Sequence, residues 1–376
     1  MMIYLSCFFI SVMLFRISEI KRLTKFRGVL IAIAIILPCV VAGMRSNEVG
    51  TDTAGYPMRL FLIAERTEFF QYQWSTFLHG WDYEYVYSMG VGYSTFIYIV
   101  ANLFHDFRMV LFCTELLIVF CVYKAVKIFR KNENVWIGML VFFLLFYNVT
   151  LNMMRQWMAM AMLLLSFVYL VSNKKRLTIL FAVLAVLFHK TAVCGFVVHL
   201  IYVMLERRSV SEEDTFNRIK YKRIVSIFIC AVLIVLVFEM DTIRYLIDLV
   251  GFSEYSAYFA GQVSFSVGRF LVDLPAILLL IFNWKKVREK KCAYFYLTFV
   301  VINIILSQLN SLNDYAWRIG SYFSCFLIIV FPELVSVGPK WKAKVGKSGL
   351  ILYGLIYWFY YFNYLNIHQT IPFVFR

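Results

Sequence analysis

An arginine, two carboxylates and three glycines follow the second apolar segment of the chain, in the run AGMRSNEVGTDTAGY over 42–56. Charged side chains beside hydrocarbon are costly and often mark a site, and Gly50 and Gly55 would let the backbone approach a ligand closely. We therefore predict a ligand site here. Arg45 is its candidate anion contact. Asp52 is either a catalytic base or the centre of an Asx turn, and both interpretations stay open.

Two further arginines stand in otherwise apolar surroundings, Arg155 beside Gln156 and Arg318 soon after Asp314. An unpaired arginine is expensive there, whereas its planar fork binds phosphate or carboxylate through paired hydrogen bonds. We predict that Arg45, Arg155 and Arg318 bind an anionic group such as a diphosphate, with Gln156 as a neighbouring contact. For five other arginines we favour contacts with lipid phosphates or local acids: Arg59, Arg66, Arg108, Arg244 and Arg376.

His189 and Lys190 form the tip between two short apolar segments, 177–188 and 191–205. Neither segment crosses about 30 Å of hydrocarbon at 1.5 Å per residue, so the tip should lie below the outer surface. His189 either bonds a backbone carbonyl at a helix end, or contacts a sugar hydroxyl or phosphate, or accepts a proton. Lys190 is a candidate phosphate contact, and Tyr56 a ring on which a sugar could stack.

The elements that carry these residues must be membrane helices. The chain of 376 residues is 62% hydrophobic and only 16% charged, which excludes a soluble globular domain. We predict an all-α polytopic membrane protein, with 1–376 as a single integral membrane domain. Its twelve predicted spans are 2–15, 28–44, 109–128, 134–151, 156–172, 177–188, 191–205, 223–240, 269–284, 292–309, 318–335 and 348–366.

The net charge of +15 is gathered in short Lys/Arg clusters between apolar runs. That distribution is typical of cytoplasmic loops and argues against nucleic acid as a partner. The loop 206–223 is therefore predicted inside, and the loops 45–108 and 241–268 outside, with an amphipathic helix over 56–73 in the first outer loop and another over 241–262 in the second. The apolar segment 86–103 should be re-entrant or interfacial, because a full crossing would reverse the charge pattern. Carboxylates and cysteines show no metal-ligand spacing, so no metal or other cofactor is predicted.

Taken in order, these motifs resemble the EpsG-like, Wzy-type polymerases of bacterial surface polysaccharides. The opening run resembles the family's arginine, Gly-Thr-Asp and tyrosine motif after a span. The chain departs from the family where a glutamate precedes a Gly-aromatic pair, since Glu84 lies several residues upstream of Gly92-Tyr93. The further matches are Asn152 with Arg155 and Gln156, Phe188 to Ala192, Tyr255 with Tyr258, Arg318 to Phe323, and Ile371-Pro372.

The resemblance implies a glycosyltransferase in the bacterial cytoplasmic (inner) membrane, with its active site facing the periplasm or the exterior. Such an enzyme moves a growing glycan from undecaprenyl diphosphate to the terminal sugar of another lipid-linked repeat unit. Donor and acceptor lipids, membrane lipids and a chain-length regulator are then the candidate partners. The alternatives are an O-antigen-type ligase or another transferase using the same lipid donor, and a non-enzymatic flippase for lipid-linked oligosaccharides.

Overall fold

The chain forms two compact units. The computed structural model describes residues 1–80, 82–206, 215–249, 251, 256, 261–289, 292–312 and 316–375. The first unit comprises Met1–Val193 and Ile351–Arg376, and the second comprises Cys194–Leu350. Most of the predicted site residues belong to the first unit, whereas Arg318 belongs to the second.

The first unit is organised around one buried helix, Met154–Val171, which is the ninth in the chain. That helix is rich in alanine and methionine, whose small or flexible side chains allow two neighbouring helices, the sixth and the tenth, to pack closely on it. Its helices are α1 (Met2–Ser18), α2 (Arg27–Gly43), α3 (Tyr56–Ala64), α4 (Phe69–Trp74), α5 (Val91–Phe104), α6 (Phe107–Phe129), α7 (Val135–Leu145), α8 (Tyr147–Thr150), α9 (Met154–Val171) and α10 (Lys175–Phe188).

The predicted outer loop contains an antiparallel hairpin, β1 (Thr76–His79) and β2 (Asp82–Tyr85). This finding corrects the expectation that the loop holds only helical segments. Aromatic residues recur through both strands, as is typical of a pleated surface. Arg59 of α3 donates a hydrogen bond to the Leu78 carbonyl and ties the hairpin to the helix.

The amphipathic helix predicted over 56–73 is divided into α3 and α4. The Thr67 hydroxyl donates to the Ile63 carbonyl at 2.8 Å, and the backbone N–H of Arg66 donates to the same carbonyl at 3.0 Å. These bonds tighten the last turn and end α3, because a threonine side chain competes for backbone acceptors. The outer loop therefore folds as two short helices and a hairpin.

The second unit is also helical. Among its described residues, α15 packs against α11, α12, α14 and α16, and a buried Asn303 amide donates to the Asp273 carboxylate at 3.0 Å. Its helices are α11 (Phe196–Glu206), α12 (Thr215–Phe238), α13 (Met240–Leu249), α14 (Val267–Val287), α15 (Ala293–Ser307), α16 (Trp317–Ser324), α17 (Leu327–Val335) and the first part of α18 (Lys340–Trp358).

The structure supports a multi-pass membrane protein. Among the described residues, α14 and four other helices are long and apolar enough to cross a bilayer, and α16 with α17, bent by 44°, would form a sixth span. Shorter apolar helices, including α1, α5 and α7, accompany them. The predicted number of twelve spans is not confirmed. The five long helices are Lys21–Gly43, Phe107–Phe129, Met154–Val171, Val267–Val287 and Ala293–Ser311.

Two predicted loops fall partly outside the described residues. In 206–223, helix α12 already begins at Thr215, so its described part is helical. In 241–268, α13 follows Met240 and α14 begins at Val267. The tyrosine pair Tyr255 and Tyr258, which contributed to the family resemblance, lies outside the described residues.

Candidate active site

Arg155 is the best placed of the predicted anion ligands. It lies in the first turn of α9, where one guanidinium N–H donates to the Met89 carbonyl at 2.8 Å. The guanidinium carbon lies 4.7 Å from the centroid of the Tyr56 ring, a cation–π geometry. The side chain is only partly buried. Within the described part of the chain its other N–H groups form no hydrogen bond, so they are available to an anionic ligand.

Tyr56 is the ring around which the other site residues gather. Its edge meets the buried ring of Tyr93 at 5.9 Å between centroids, and it meets the imidazole of His79 at the same distance. Arg155 and Asp52 both lie within electrostatic range of the Tyr93 hydroxyl. The structure thus brings together Arg155, Tyr56 and Asp52, which lie up to 103 residues apart in sequence.

Asp52 begins a tight turn that its backbone carbonyl closes, while the Asx turn, in which the side chain accepts a backbone N–H, stays a prediction. Its backbone carbonyl accepts from the N–H of Gly55 at 3.0 Å, and its carboxylate accepts from the Thr51 hydroxyl at 3.2 Å. The side chain remains partly exposed. Turn formation and contact with a ligand are therefore compatible. Within the described ranges, no three His, Cys, Asp or Glu side chains are grouped to hold a metal ion.

Gly90 lets the end of α10 pack against the segment that Arg155 contacts. It follows Met89, whose carbonyl accepts from Arg155, and it has a φ of +100°. A Cβ at this glycine would lie 2.7 Å from the Phe188 carbonyl oxygen. The backbones of the two segments are therefore in direct contact. His189, which follows Phe188, is held next to the same segment that Arg155 contacts.

We expect Gly90→Ala to disturb this arrangement. The added methyl group meets backbone atoms that cannot move independently, and the positive φ is strained for alanine, so the free energy of unfolding should fall by about 1–3 kcal/mol. Thermal unfolding in detergent measures this loss. Gly28→Ala is the matched control, since Gly28 of α2 has open space around it. Equal unfolding temperatures for the two variants would contradict the close contact.

Arg45 does not occupy the position expected of a diphosphate ligand. Its side chain is 1% exposed, and one N–H meets the sulfur of Met154 at 3.5 Å. Burial lowers the pKa of its guanidinium, with the buried carboxylate of Glu115 within electrostatic range. An anion of diphosphate size cannot reach a group enclosed in this way. Among the described residues its Nε and Nη1 form no hydrogen bond, and the role of Arg45 as a diphosphate ligand stays a prediction.

The C-terminal segment 366–375 encloses the Arg45 loop. The N–H of Ser46 donates to the Val374 carbonyl at 2.7 Å, and the N–H of Gly50 donates to the Gln369 carbonyl at 3.0 Å. A Cβ on Gly50 would lie 2.3 Å from Oδ1 of Asn152. Gly50 therefore allows close approach to protein, whereas the sequence suggested close approach to a ligand.

The remaining predicted residues are distributed differently. Gln156 is 5% exposed in α9, so it cannot contact a large ligand in this conformation. Lys190 is exposed directly after His189. In the second unit, Arg318 lies in α16, which packs against the turn Gln308–Ser311. That turn also accepts a hydrogen bond from Arg269 of α14, at 2.8 Å to Asn310.

The pair of His79 and Glu84 was missed by sequence reasoning. Nδ1 of His79 lies 2.8 Å from the Glu84 carboxylate, and the Ser88 hydroxyl donates to the same carboxylate at 3.0 Å. The sequence pointed to Glu84 only as a departure from the family pattern. Recognition of the hairpin from its recurrent aromatic residues and its central Gly80 would have placed the two side chains on one face.

Comparison with known families shows the family of the chain. The sequence model of the EpsG family matches residues 28–375, nearly the whole chain. No curated protein and no solved structure matches the chain. The match includes every residue of the Arg155 and Tyr56 site and the arginines of the second unit. The chain therefore belongs to the EpsG family, a Wzy-like family of polysaccharide polymerases.

Proposed function

We propose that this protein polymerises a bacterial surface polysaccharide. It transfers a growing glycan from undecaprenyl diphosphate to the terminal sugar of another lipid-linked repeat unit. The reaction takes place on the outer side of the cytoplasmic membrane, facing the periplasm or the exterior. The observation that carries this proposal is the partly exposed guanidinium of Arg155, stacked on Tyr56 and anchored by one hydrogen bond.

The negative charge that develops on the leaving group explains why the proposed site centres on an arginine. The acceptor hydroxyl attacks the anomeric carbon, the bond from that carbon to the phosphate oxygen breaks, and the diphosphate leaves with the electron pair. Most of the developing negative charge is on the leaving group, so a positioned cation lowers the barrier by electrostatic stabilisation. Arg155 can offer two parallel N–H donors to a phosphate while a third N–H holds the Met89 carbonyl.

The other site residues have complementary roles in this proposal. Tyr56, which is 7% exposed, provides the platform on which Arg155 lies. Asp52 and His189 orient the acceptor sugar through hydrogen bonds to its hydroxyls, and Lys190 adds positive charge at the entrance. The role of Arg318 as a diphosphate ligand stays a prediction from the sequence. Arg45 and Gln156 support the fold around the site.

The size of the surface product tests the function. In a strain that lacks this gene we expect a single repeat unit on the cell surface in place of a ladder of polymer, as seen on a gel of extracted polysaccharide. Complementation with the wild-type gene should restore the ladder. Full-length polymer that remains attached to undecaprenyl carrier would instead indicate a ligase. Loss of every surface unit, with lipid-linked units accumulating inside, would indicate a flippase.

A further inference from the structure

The hairpin presents an imidazole that a carboxylate orients. The register pairs His79 with Asp82 and Phe77 with Glu84, so these four side chains share one face of the hairpin. Nδ1 of His79 lies 2.8 Å from the Glu84 carboxylate. A carboxylate on Nδ1 selects the tautomer in which Nδ1 carries the proton and Nε2 a lone pair. Within the described residues Nε2 forms no hydrogen bond.

This pair lies at the Arg155 site. The imidazole of His79 meets the Tyr56 ring at 5.9 Å, while the guanidinium of Arg155 lies 4.7 Å from the same ring. The two groups are therefore no farther apart than the sum of these distances. This upper limit is compatible with both groups acting on one bound sugar residue. The His79 and Glu84 side chains are 39% and 36% exposed, so a ligand can reach them.

We propose that His79 is the catalytic base of the glycosyl transfer and that Glu84 is its positioning residue; this inference rests on the proposed function. Nε2 accepts the proton of the acceptor hydroxyl as its oxygen bonds to the anomeric carbon. The bond from that carbon to the phosphate oxygen breaks, and undecaprenyl diphosphate leaves with the electron pair. The imidazolium, paired with the Glu84 carboxylate, then releases its proton to water.

Two other histidines of the first unit, His189 and His105, fit this role less well. Nδ1 of His189 lies 2.6 Å from the Thr191 hydroxyl, and a neutral hydroxyl stabilises an imidazolium less than a carboxylate does. His105 lies 3.7 Å from Glu65, beyond hydrogen-bond distance, and is 68% exposed. Of these three histidines, His79 has a hydrogen-bonded carboxylate, that of Glu84, and its ring contacts Tyr56, the ring that Arg155 also contacts.

The charges around His79 come from three elements. Glu84 and Asp82 face it from β2. From α3 come Tyr56, in ring contact, and Arg59, which donates to the carbonyl of the preceding Leu78. Arg155 of α9 lies beyond the Tyr56 ring. The hydrogen-bonded Glu84 is the nearest of these charges, at 2.8 Å from Nδ1.

The experiment measures elongation by the full-length protein in detergent. The substrate is the undecaprenyl-diphosphate-linked repeat unit extracted from membranes of the deletion strain. We expect His79→Gln to lower kcat at least about a hundredfold with little change in KM, because it removes the proton acceptor. Glu84→Gln should cause a smaller loss, since the amide no longer stabilises the imidazolium. His105→Asn is the control, because asparagine tolerates the positive φ of that position.

The dependence of kcat on pH separates catalysis from structure. A general base accepts a proton only in its unprotonated form, so wild-type kcat should fall as the pH is lowered. The residual kcat of His79→Gln should not show this fall, while His189→Gln and His105→Asn should keep the wild-type fall. An active wild type with unchanged kcat in His79→Gln would overturn the base assignment alone. Loss of the pH dependence of kcat in His189→Gln would also overturn the assignment of His79 as the base. A folded wild-type protein that elongates no glycan would overturn both the base assignment and the proposed function.

Discussion

Cells that carry Arg155→Ala should make no long polymer. The guanidinium lies 4.7 Å from the centroid of the Tyr56 ring, and in our proposal it binds the departing diphosphate. Loss of one electrostatic contact to a developing charge typically lowers kcat by a factor of about 10²–10³. We therefore expect the surface ladder to shrink to single units, and elongation by the purified protein to fall by that factor.

Arg155→Lys separates charge from geometry. A lysine keeps the positive charge but loses the planar group that stacks on Tyr56 and donates to the Met89 carbonyl. Its product should be shorter than that of the wild type and longer than that of Arg155→Ala. The matched control is Arg108→Ala, which removes an exposed arginine paired with Asp106 at 2.7 Å. A normal ladder from Arg155→Ala at normal protein level would refute the role of this residue.

Removal of the C-terminal segment 366–376 should destabilise the first unit strongly. The segment accepts hydrogen bonds from three side chains: Asn152 to the His368 carbonyl at 2.6 Å, Asn148 to the Thr370 hydroxyl at 2.9 Å, and Tyr4 to the Thr370 carbonyl at 3.1 Å. Each buried donor left without a partner costs about 1–3 kcal/mol. The total is a large fraction of the roughly 5–15 kcal/mol that stabilises a typical domain.

The protein level in membranes and thermal unfolding in detergent both measure this effect. Thr370→Val should reproduce part of it, because valine keeps the shape but not the hydroxyl that Asn148 contacts. Phe375→Ala is the control, since this ring is 57% exposed and its replacement leaves the backbone of the segment in place. A shortened chain with the unfolding temperature of the full-length protein would show that the segment does not stabilise the Arg45 loop.

The membrane class and the family were accessible from the sequence because both depend on local information. A composition with 62% hydrophobic residues requires lipid or burial for nearly every segment. The isolated Arg155 was recognised from its apolar neighbours alone, and the structure places it with Tyr56 and Asp52. These predictions needed no knowledge of how distant segments meet.

The role of Arg45 could not be read from the sequence. Its burial depends on the segment 366–375, which returns to the Arg45 loop from the other end of the chain and bonds Asn152 across 216 residues. A local pattern cannot distinguish an arginine that faces a ligand from one that a distant segment covers. The hairpin was missed for a related reason, since the aromatic residues of 76–85 also fit an interfacial helix.

Elongation of a lipid-linked repeat unit by the purified protein is the most direct test of the central claim. The full-length protein in detergent, supplied only with the undecaprenyl-diphosphate-linked unit from the deletion strain, should convert it into a ladder of longer lipid-linked glycans and release undecaprenyl diphosphate. Arg155→Ala should form no ladder, whereas Arg108→Ala should match the wild type. Folded wild-type protein that leaves the single unit unchanged would contradict the account.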